Sequence, residues 1–229
     1  MTAPGSEAAR GAHLARRDAL ARTLAASRGT TVGLAKGTSN LFRDRDATGR
    51  RLLDVRDFGH VLAVDTDAGE VEAEGMATYE AIVEATLAAG TMPAVVPQLR
   101  TITLGGAAAG IGIEATSFRE GLVHETLTEF DVLTGTGEIV RCRPDNEHAD
   151  LFYGFPNSYG TLGYALRLRA RTKPVRPFVA IRHRRCGDAG SFFAALDGAC
   201  RGDADFVDGV VFGRDRLVLT EGRFVAVGW

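Results

Sequence analysis

The stretch Pro97-Gln-Leu-Arg-Thr-Ile-Thr-Leu-Gly-Gly-Ala-Ala-Ala-Gly-Ile-Gly-Ile-Glu-Ala-Thr-Ser-Phe-Arg-Glu-Gly121 decides how this chain folds. It contains five glycines among small and hydroxylated side chains, far too many for the interior of a regular strand or helix. Thr103 is suited to be the N-cap of a short helix. We therefore expect exposed N–H groups at Leu104, Gly105 and Gly106, and an anion bound to them.

A second segment of this kind, Lys36-Gly37-Thr38-Ser39-Asn40-Leu41, lies nearer the N-terminus. It offers backbone donors, two hydroxyls, an amide and one fixed positive charge, all of which favour a phosphate. A diphosphate held from two sides predicts a bound dinucleotide. For either segment taken alone, the alternative is that its glycines serve turns and close packing.

Composition excludes several classes of protein. The chain has 229 residues, of which 45% are hydrophobic and 24% charged, as in ordinary globular proteins. Its 27 basic and 29 acidic residues give a net charge of −2, which argues against a nucleic-acid partner. The three cysteines, Cys142, Cys186 and Cys200, favour a reduced, cytoplasmic setting. No apolar run has the length of a membrane-spanning helix.

Several well-known motifs are absent or incomplete. Lys36 precedes Gly37, whereas a phosphate-binding P-loop has its lysine after the last glycine. Gly105 to Gly110 does not have the spacing of a dinucleotide-binding Gly-x-Gly-x-x-Gly turn. The histidines show no metal-ligand spacing, and Gly-x-Ser-x-Gly does not occur. We expect no metal site.

An Ala/Arg-rich stretch, Arg10 to Arg28, predicts an N-terminal helix. Leu14, Leu20, Ala21 and Leu24 lie roughly on one face of it, so we expect that face to be packed. Peripheral membrane contact through the arginines of this helix is the alternative.

Downstream patterns predict a mixed α+β fold. Glu70 to Glu74 alternates polar and apolar residues, which is typical of a half-exposed strand. Thr78 is suited to cap a helix that ends near Gly90. The other predictions are strands at 30–34, 51–55, 60–65 and 164–171, a hairpin at 126–142 and a helix at 148–154.

The prolines at 174 and 177 predict a boundary between two units. We divide the chain into an N-terminal helix at 1–29, a main domain at 30–175 and a second unit at 176–229. The second unit has a strand at 179–184, a helix at 191–199 and a hairpin at 208–220. These elements are few for an independent core, so we expect the second unit to be the truncated start of a larger α+β domain.

The order of the motifs resembles the PCMH-type FAD-binding domain of the vanillyl-alcohol-oxidase superfamily. The shared pattern is Pro-x(5)-Thr-x-Gly-Gly at 97–106, then Ser117 and Gly121, the hairpin turn 134–138, Asp-Leu-Phe at 150–152 and Gly-x-x-Gly at 160–163. The resemblance covers residues 30–175. It implies a two-subdomain FAD-binding fold followed by a cap domain that supplies most of the substrate-facing wall.

Some segments are similar to a narrower group. Residues 103–117 and 150–153 resemble the Δ24-sterol reductase branch. Residues 96–103 and 155–160 look closer still to actinobacterial relatives that reduce a 10-methylene fatty acyl chain to the 10-methyl product. This resemblance implies FAD as cofactor, NADPH as electron donor and a lipid or fatty-acyl substrate. A sterol substrate, an oxidase of the same fold and a non-catalytic FAD-binding fragment are the alternatives.

The resemblance also implies which residues bind FAD. These are Lys36, Gly37, Thr38, Ser39, Asn40, Leu41, Thr103, Leu104, Gly105, Gly106, Gly110, Gly112, Ser117, Gly121, Gly160 and Gly163. Thr38 stands where covalent members carry the histidine that attaches the flavin, so noncovalent FAD is expected.

Four further side chains have more open roles. Glu114 is expected either to bind a ribose hydroxyl or to face solvent, and His124 to be a structural histidine with satisfied hydrogen bonds. Tyr153 and Tyr159 are expected to be packing residues. None of these is assigned as the catalytic acid. Because the cap unit is short, residues 1–229 alone are expected to be inactive.

Overall fold

A computed structural model describes residues 6–27, 29–37 and 49–227. The described elements, in chain order, are α1 (Ser6–Ala25), β1 (Val32–Ala35), β2 (Arg51–Asp54), β3 (Val61–Asp65), β4 (Glu70–Glu74), α2 (Tyr79–Leu87), β5 (Thr91–Pro93), α3 (Leu104–Ala109), α4 (Ser117–Glu120), β6 (Leu127–Leu133), β7 (Ile139–Cys142), α5 (Ala149–Gly154), β8 (Tyr164–Pro174), β9 (Phe178–Cys186), α6 (Ala189–Arg201), β10 (Phe206–Gly213) and β11 (Arg216–Val225).

The largest sheet has the order β3-β4-β8-β6-β7, with β5 paired to the far end of β8, and its neighbouring strands are antiparallel. The helices α2 and α3 cover one face of this sheet. They bury Tyr79, Ile82 and Leu104 against Val71 and Phe130 of the strands. This layer is the main core of the molecule.

The opposite face of the sheet is covered by α1 and by the parallel pair β1 and β2. Leu20 and Leu24 of α1 are buried, as predicted, against Leu53 and Leu166. The prediction for Leu14 was wrong, because this side chain is exposed. The buried face of the helix passes instead through His13, which is only 2% exposed because its ring contacts a carboxylate of the sheet.

The expectation that β4 is half exposed was also wrong, since Glu72 and Glu74 are both buried. The reason is that a buried arginine of β8 lies between acidic side chains of the two neighbouring strands, β4 and β6. Arg167 of β8 donates to Glu72 of β4 at 3.0 Å and to both carboxylate oxygens of Asp131 of β6 at 3.0 Å, and it also donates to Glu129. Each buried charge therefore has partners that replace its water.

Side chains of α1 provide further hydrogen-bond partners for the buried carboxylates Glu72 and Glu74. Arg10 donates to Glu72 at 2.6 Å, and Arg16 donates to Glu74 at 2.5 Å. The Nδ1 atoms of His13 and His60 lie 2.8 and 2.7 Å from the two oxygens of Glu74. Burial alone would raise the pKa of Glu74, but the bonds from these side chains and from the backbone of residue 60 hold it at about 2.

A second sheet, with the order β10-β11-β9, carries α6 on one face. Gly209 allows the ring of Phe192 to lie directly against β10, because a Cβ there would stand 2.6 Å from this ring. The backbone N–H of Val207 donates to the carbonyl of Ala115 at 2.8 Å, which joins this sheet to the glycine-rich stretch.

Local signals located most elements correctly. Thr78 caps α2, as its side chain accepts a hydrogen bond from the N–H of Ala81. The hairpin of β6 and β7, the short helix α5 and the elements of the second unit lie within a few residues of their predicted positions. The division of the chain into domains at residues 29 and 175 stays a prediction.

We predict that Glu74 makes folding sensitive to acid. Its folded-state pKa of about 2 lies below the ordinary value of 4.5, so its stabilisation is present above pH 4.5 and is lost as the pH falls toward 2. A shift of this size corresponds to about 3 kcal/mol. Urea unfolding at pH 7 and pH 3 should show that Glu74→Gln lowers stability at pH 7 and reduces the loss on acidification.

Asp54→Asn is the matched control. The hydrogen bonds from Arg56 lower the pKa of Asp54 to about 2 as well, but both side chains are exposed. Exposed pairs contribute little, so this variant should unfold like the parent at both pH values. An unchanged acid response in Glu74→Gln would show that Glu74 is not the group responsible.

Candidate functional site

The start of α3 is capped by Thr103, whose side chain accepts a hydrogen bond from the N–H of Gly106 at 3.2 Å. The cap was predicted, but the exposed N–H groups were not found. Leu104 donates to the carbonyl of Ala77 and Gly105 donates to that of Gly75, both at 2.9 Å. Because these groups already have backbone partners, they do not form the expected anion cradle.

The two adjacent glycines have different surroundings. A Cβ on Gly105 would stand 2.7 Å from the carbonyl oxygen of Gly75, so glycine is required here by the contact between two backbones. Gly106 is exposed, and a Cβ there would meet only the Thr103 hydroxyl, at 2.9 Å. Of this pair, Gly106 is the residue whose open side is available to a ligand.

Beyond α3, the segment 110–113 forms an exposed apolar rim. Ile113 is 72% exposed and Ile111 half exposed, although both are large aliphatic side chains. Val123 packs against Gly112. The N–H of Val123 donates to the carbonyl of Gly112, and a Cβ on Gly112 would stand 2.7 Å from the Val123 side chain. The segment is therefore fixed on one side and open on the other.

Glu114 does not simply face solvent, and its expected contact with a ribose hydroxyl stays a prediction. Its carboxylate accepts a hydrogen bond from the N–H of Gln98 at 3.0 Å and so ties the two ends of the glycine-rich stretch together. The Ser117 hydroxyl accepts from the N–H of Glu114 at 2.9 Å. Burial raises the pKa of Glu114, the bond from Gln98 opposes the rise, and the charge of Asp208 adds to it.

The predicted glycines farther along the chain separate into two kinds. Gly163 packs against β6, where a Cβ would stand 2.6 Å from the carbonyl oxygen of Leu133. Gly121 has a φ of +83°, and its Cβ would meet the Glu125 carboxylate. Gly160, with a φ of +86°, has open space around it. Packing and turn geometry thus explain the first two, whereas Gly160 is open to a ligand.

Tyr153 and Tyr159 are exposed, so their assignment as packing residues was wrong. Phe155, between them in the sequence, fills the core instead. The N–H of Tyr159 donates to the carbonyl of Ala109 at 3.0 Å, which places residues 158–160 beside the end of α3.

Three buried polar atoms border the glycine-rich stretch without a hydrogen bond to any residue that the structure describes. They are Thr116 Oγ1, His124 Nδ1 and Ser158 Oγ. The expectation that His124 is a satisfied structural histidine is therefore wrong for Nδ1. Buried polar atoms of this kind are normally paired, so these three are available to the polar groups of a bound cofactor. Sequence inspection gave no reason to select Thr116 or Ser158.

The first predicted loop is only partly described. Lys36 and Gly37 follow β1 directly, whereas Thr38, Ser39, Asn40 and Leu41 lie outside the described residues. A relay of backbone hydrogen bonds connects the end of β1 to the start of α3: Val55 donates to Ala35, Met76 to Phe58, and Gly105 to Gly75. The same series of backbone contacts therefore supports both the end of β1 and the start of α3.

A small cavity of about 80 Å³ lies where the second sheet meets the glycine-rich stretch. It is lined by Met92, Val96, Glu114, Ala115, Thr116 and Phe206. Glu114 and Thr116 are the residues of this lining with polar side chains. The region thus combines an open glycine segment, unpaired polar atoms and an apolar rim.

Comparison with known proteins shows an FAD-binding fold. Residues 16–143 match the family described as "FAD binding domain", and the chain belongs to this family. Among solved structures, 6-hydroxy-D-nicotine oxidase from Arthrobacter nicotinovorans superposes with a TM-score of 0.68 and 17% identity, over 91% of this chain and 48% of that one. The predicted α+β fold of the PCMH type is thus confirmed.

Two curated proteins with similar sequences are Delta(24)-sterol reductases. The chain is 28% identical over 185 residues to the Delta(24)-sterol reductase of Pisum sativum, a match that covers 76% of this chain and 33% of that protein. It is 31% identical over 163 residues to the Delta(24)-sterol reductase of Homo sapiens, covering 71% and 31%. The chain thus spans about a third of the length of these relatives.

Across the described residues, we find no helix with the combination of length and apolar character that crossing a bilayer requires.

We predict that the adjacent glycines fail in different ways when replaced. Gly105→Val should lower the stability of the FAD-free protein by about 3 kcal/mol, because the side chain collides with the backbone of Gly75. Gly106→Val should remain folded and lose FAD, because its side chain enters the open face of the first helical turn. Urea unfolding and quenching of FAD fluorescence measure the two effects. Parental FAD affinity in folded Gly106→Val would exclude this turn from the site.

Proposed function

We propose that the protein is an FAD-dependent oxidoreductase that reduces a carbon–carbon double bond of a lipid, with NADPH as electron donor. The similarity to the Delta(24)-sterol reductases carries this proposal, because it extends over about three quarters of the chain. As substrate we propose a 10-methylene fatty acyl chain, which would become the 10-methyl product. The segments 96–103 and 155–160 support this choice through their resemblance to actinobacterial reductases.

The chemistry divides between cofactor and protein. FAD supplies the hydride that an isolated alkene requires. The open side of Gly106, the residues around Gly160, and the Thr116 and Ser158 hydroxyls would hold the polar part of the cofactor. The tie between Glu114 and Gln98 keeps the intervening segment in one conformation. The exposed Ile111 and Ile113 offer an apolar surface to a hydrocarbon substrate and exclude water from it.

A Δ24-type sterol is the second candidate substrate, and the names of the matched reductases favour it. Both lipids present an alkene in an apolar frame, so the exposed isoleucines do not distinguish them. The experiment that distinguishes the two candidate substrates is to test which lipid reoxidises the reduced flavin.

We predict that anaerobic NADPH bleaches the bound flavin rapidly, because in a reductase the nicotinamide delivers electrons to FAD. With a complete cap domain present, a 10-methylene fatty acyl lipid should then restore the yellow colour, while the saturated 10-methyl lipid should not; residues 1–229 alone should not catalyse this second step. Stopped-flow absorbance at the flavin maximum measures both steps. Reoxidation only by a Δ24 sterol would select the second candidate. Bleaching by an alcohol or amine but not by NADPH would contradict the reductase proposal and indicate an oxidase.

We also predict that FAD is bound noncovalently. The resemblance places Thr38 where covalent members carry the attaching histidine, and a threonine hydroxyl without an adjacent base is a poor nucleophile at neutral pH. Acid precipitation should leave a white pellet and a yellow supernatant. Thr38→His tests whether the position itself is correctly placed, since flavin retained in its pellet would locate residue 38 beside the ring. Yellow colour in the washed parental pellet would contradict noncovalent binding.

A further inference from the structure

The short helix α4 lies between the glycine-rich stretch and the second unit. Its first residue, Ser117, contacts the stretch, since its hydroxyl accepts a hydrogen bond from the N–H of Glu114 at 2.9 Å. The next residue, Phe118, packs instead against the hydrophobic core that α6 and the second sheet form. Adjacent helical residues point about 100° apart, so this single turn can contact both neighbours.

The residues beside Phe118 are bound to the chain between α6 and β10. The Arg119 guanidinium donates to the carbonyl of Gly202, just after α6, at 2.8 Å. It also lies 5.2 Å from the centre of the Phe118 ring. On the other side, the carbonyl of Ala115 accepts from the N–H of Val207, near the start of β10, at 2.8 Å. Phe118 is therefore held at one end of the core of the second unit.

Lys173, at the end of β8, adds a charged connection at the C-terminal end of α4. Its ammonium group lies 3.5 Å from the Glu120 carboxylate. The same group lies 5.6 Å from the centre of the Phe206 ring in β10 and 5.9 Å from that of Phe224 in β11. Because the carboxylate and both ring faces attract one cation, this charge links α4 to the second sheet.

The helix α4 has little means of holding its own conformation. It is four residues long and contains no buried residue, and the side chain of its N-cap residue, Thr116, makes no capping bond. Helices this short are not stable in isolation. The conformation of residues 117–120 therefore depends on contacts with the neighbouring elements, and Phe118 is the apolar contact with the second unit.

The second unit also helps to enclose the cavity of about 80 Å³ beside the glycine-rich stretch. Phe206 of β10 forms one wall of this cavity, and the other lining residues lie between residues 92 and 116. Docking of the second unit thus affects the surroundings of Glu114 as well as the conformation of α4.

We propose that Phe118 is a positioning residue for FAD, through which the cofactor and the docked second unit stabilise each other. The inference rests on the proposed FAD-dependent function, since FAD must bind beside residues 114–117, but not on which lipid is reduced. With Phe118 anchored, Ser117 and Glu114 are already ordered, so FAD does not have to order them on binding. By linkage, FAD bound there stabilises the docked second unit by the same free energy.

A purely structural role for Phe118 has different consequences. If its ring only filled space in the second unit, a folded variant without the ring would bind FAD like the parent. FAD would then also leave the stability of α6 and β10 unchanged in the parent. Reciprocal coupling predicts a change in both quantities.

Two measurements on residues 1–229 test the coupling. Fluorescence titration gives the dissociation constant of FAD, and amide hydrogen exchange with and without FAD reports the stability of α6 and β10. Phe118→Ala should weaken FAD binding about tenfold, within the usual range of coupling between two sites. FAD should slow exchange in α6 and β10 of the parent but not of Phe118→Ala. Phe118→Leu, which keeps a large apolar side chain, should restore most of both effects.

Two further variants serve as the control and as a milder change. Phe193 lies in α6 of the same unit and is 62% exposed, so Phe193→Ala should bind FAD like the parent. Arg119→Gln removes the bond to Gly202 without removing the Phe118 ring from the core. It should weaken FAD binding in the same direction but less, and it keeps the test decisive if Phe118→Ala does not fold.

The outcomes separate this inference from the proposed function. Parental FAD affinity in Arg119→Gln and in folded Phe118→Ala would overturn the inference and leave the FAD-dependent function intact. The same holds if FAD binds the parent without slowing exchange in α6 and β10. An equal loss of affinity in Phe193→Ala would also overturn it, because the effect would then be general destabilisation of the second unit. A parent that binds no FAD would overturn the inference together with FAD binding by this chain.

Discussion

The buried arginine at position 167 is the interaction on which the rest of the fold depends. A guanidinium taken out of water costs several kcal/mol unless it is fully paired, and here Glu72, Glu129 and Asp131 supply its partners. These carboxylates in turn need further cations, because one arginine does not neutralise them all. The helix α1 meets this need at Glu72 and also supplies partners to the buried Glu74, so its docking follows from the charge of the sheet as much as from its two buried leucines.

The contact between β4 and β8 also fixes the position of α3. Gly75 follows Glu74 directly, and a Cβ at Gly75 would stand 1.9 Å from the carbonyl oxygen of Ala165. The close approach of these backbones lets Gly105 reach Gly75 from the other side and fixes where α3 begins. The position of the first helical turn is thus determined by strand packing, and the open side of Gly106 is what remains for a ligand.

Sequence patterns were sufficient wherever the signal was local. Thr78 and Thr103 were recognised as caps because capping needs only a few consecutive residues. The strand Glu70 to Glu74 was misjudged because alternation predicts two faces but does not say what covers the polar one. Its cover comes from Arg10, His13 and Arg16, about sixty residues earlier, and from Arg167, about ninety-five later. Likewise, the acceptors of the α3 N–H groups lie in a distant turn, so the expected anion cradle could not be judged from Thr103 to Gly106 alone.

The ion pairs of α1 mean that the folding unit and the family boundary do not coincide. The family match begins at residue 16, yet Arg10 and His13 lie before it and bind buried carboxylates. A chain begun at that boundary would keep every residue of the match and still leave Glu72 and Glu74 short of partners inside the protein. The limits of a recognisable domain are set by which residues recur among relatives, whereas the limits of a foldable one are set by which charges must be neutralised. In this protein the second limit lies at least six residues nearer the N-terminus.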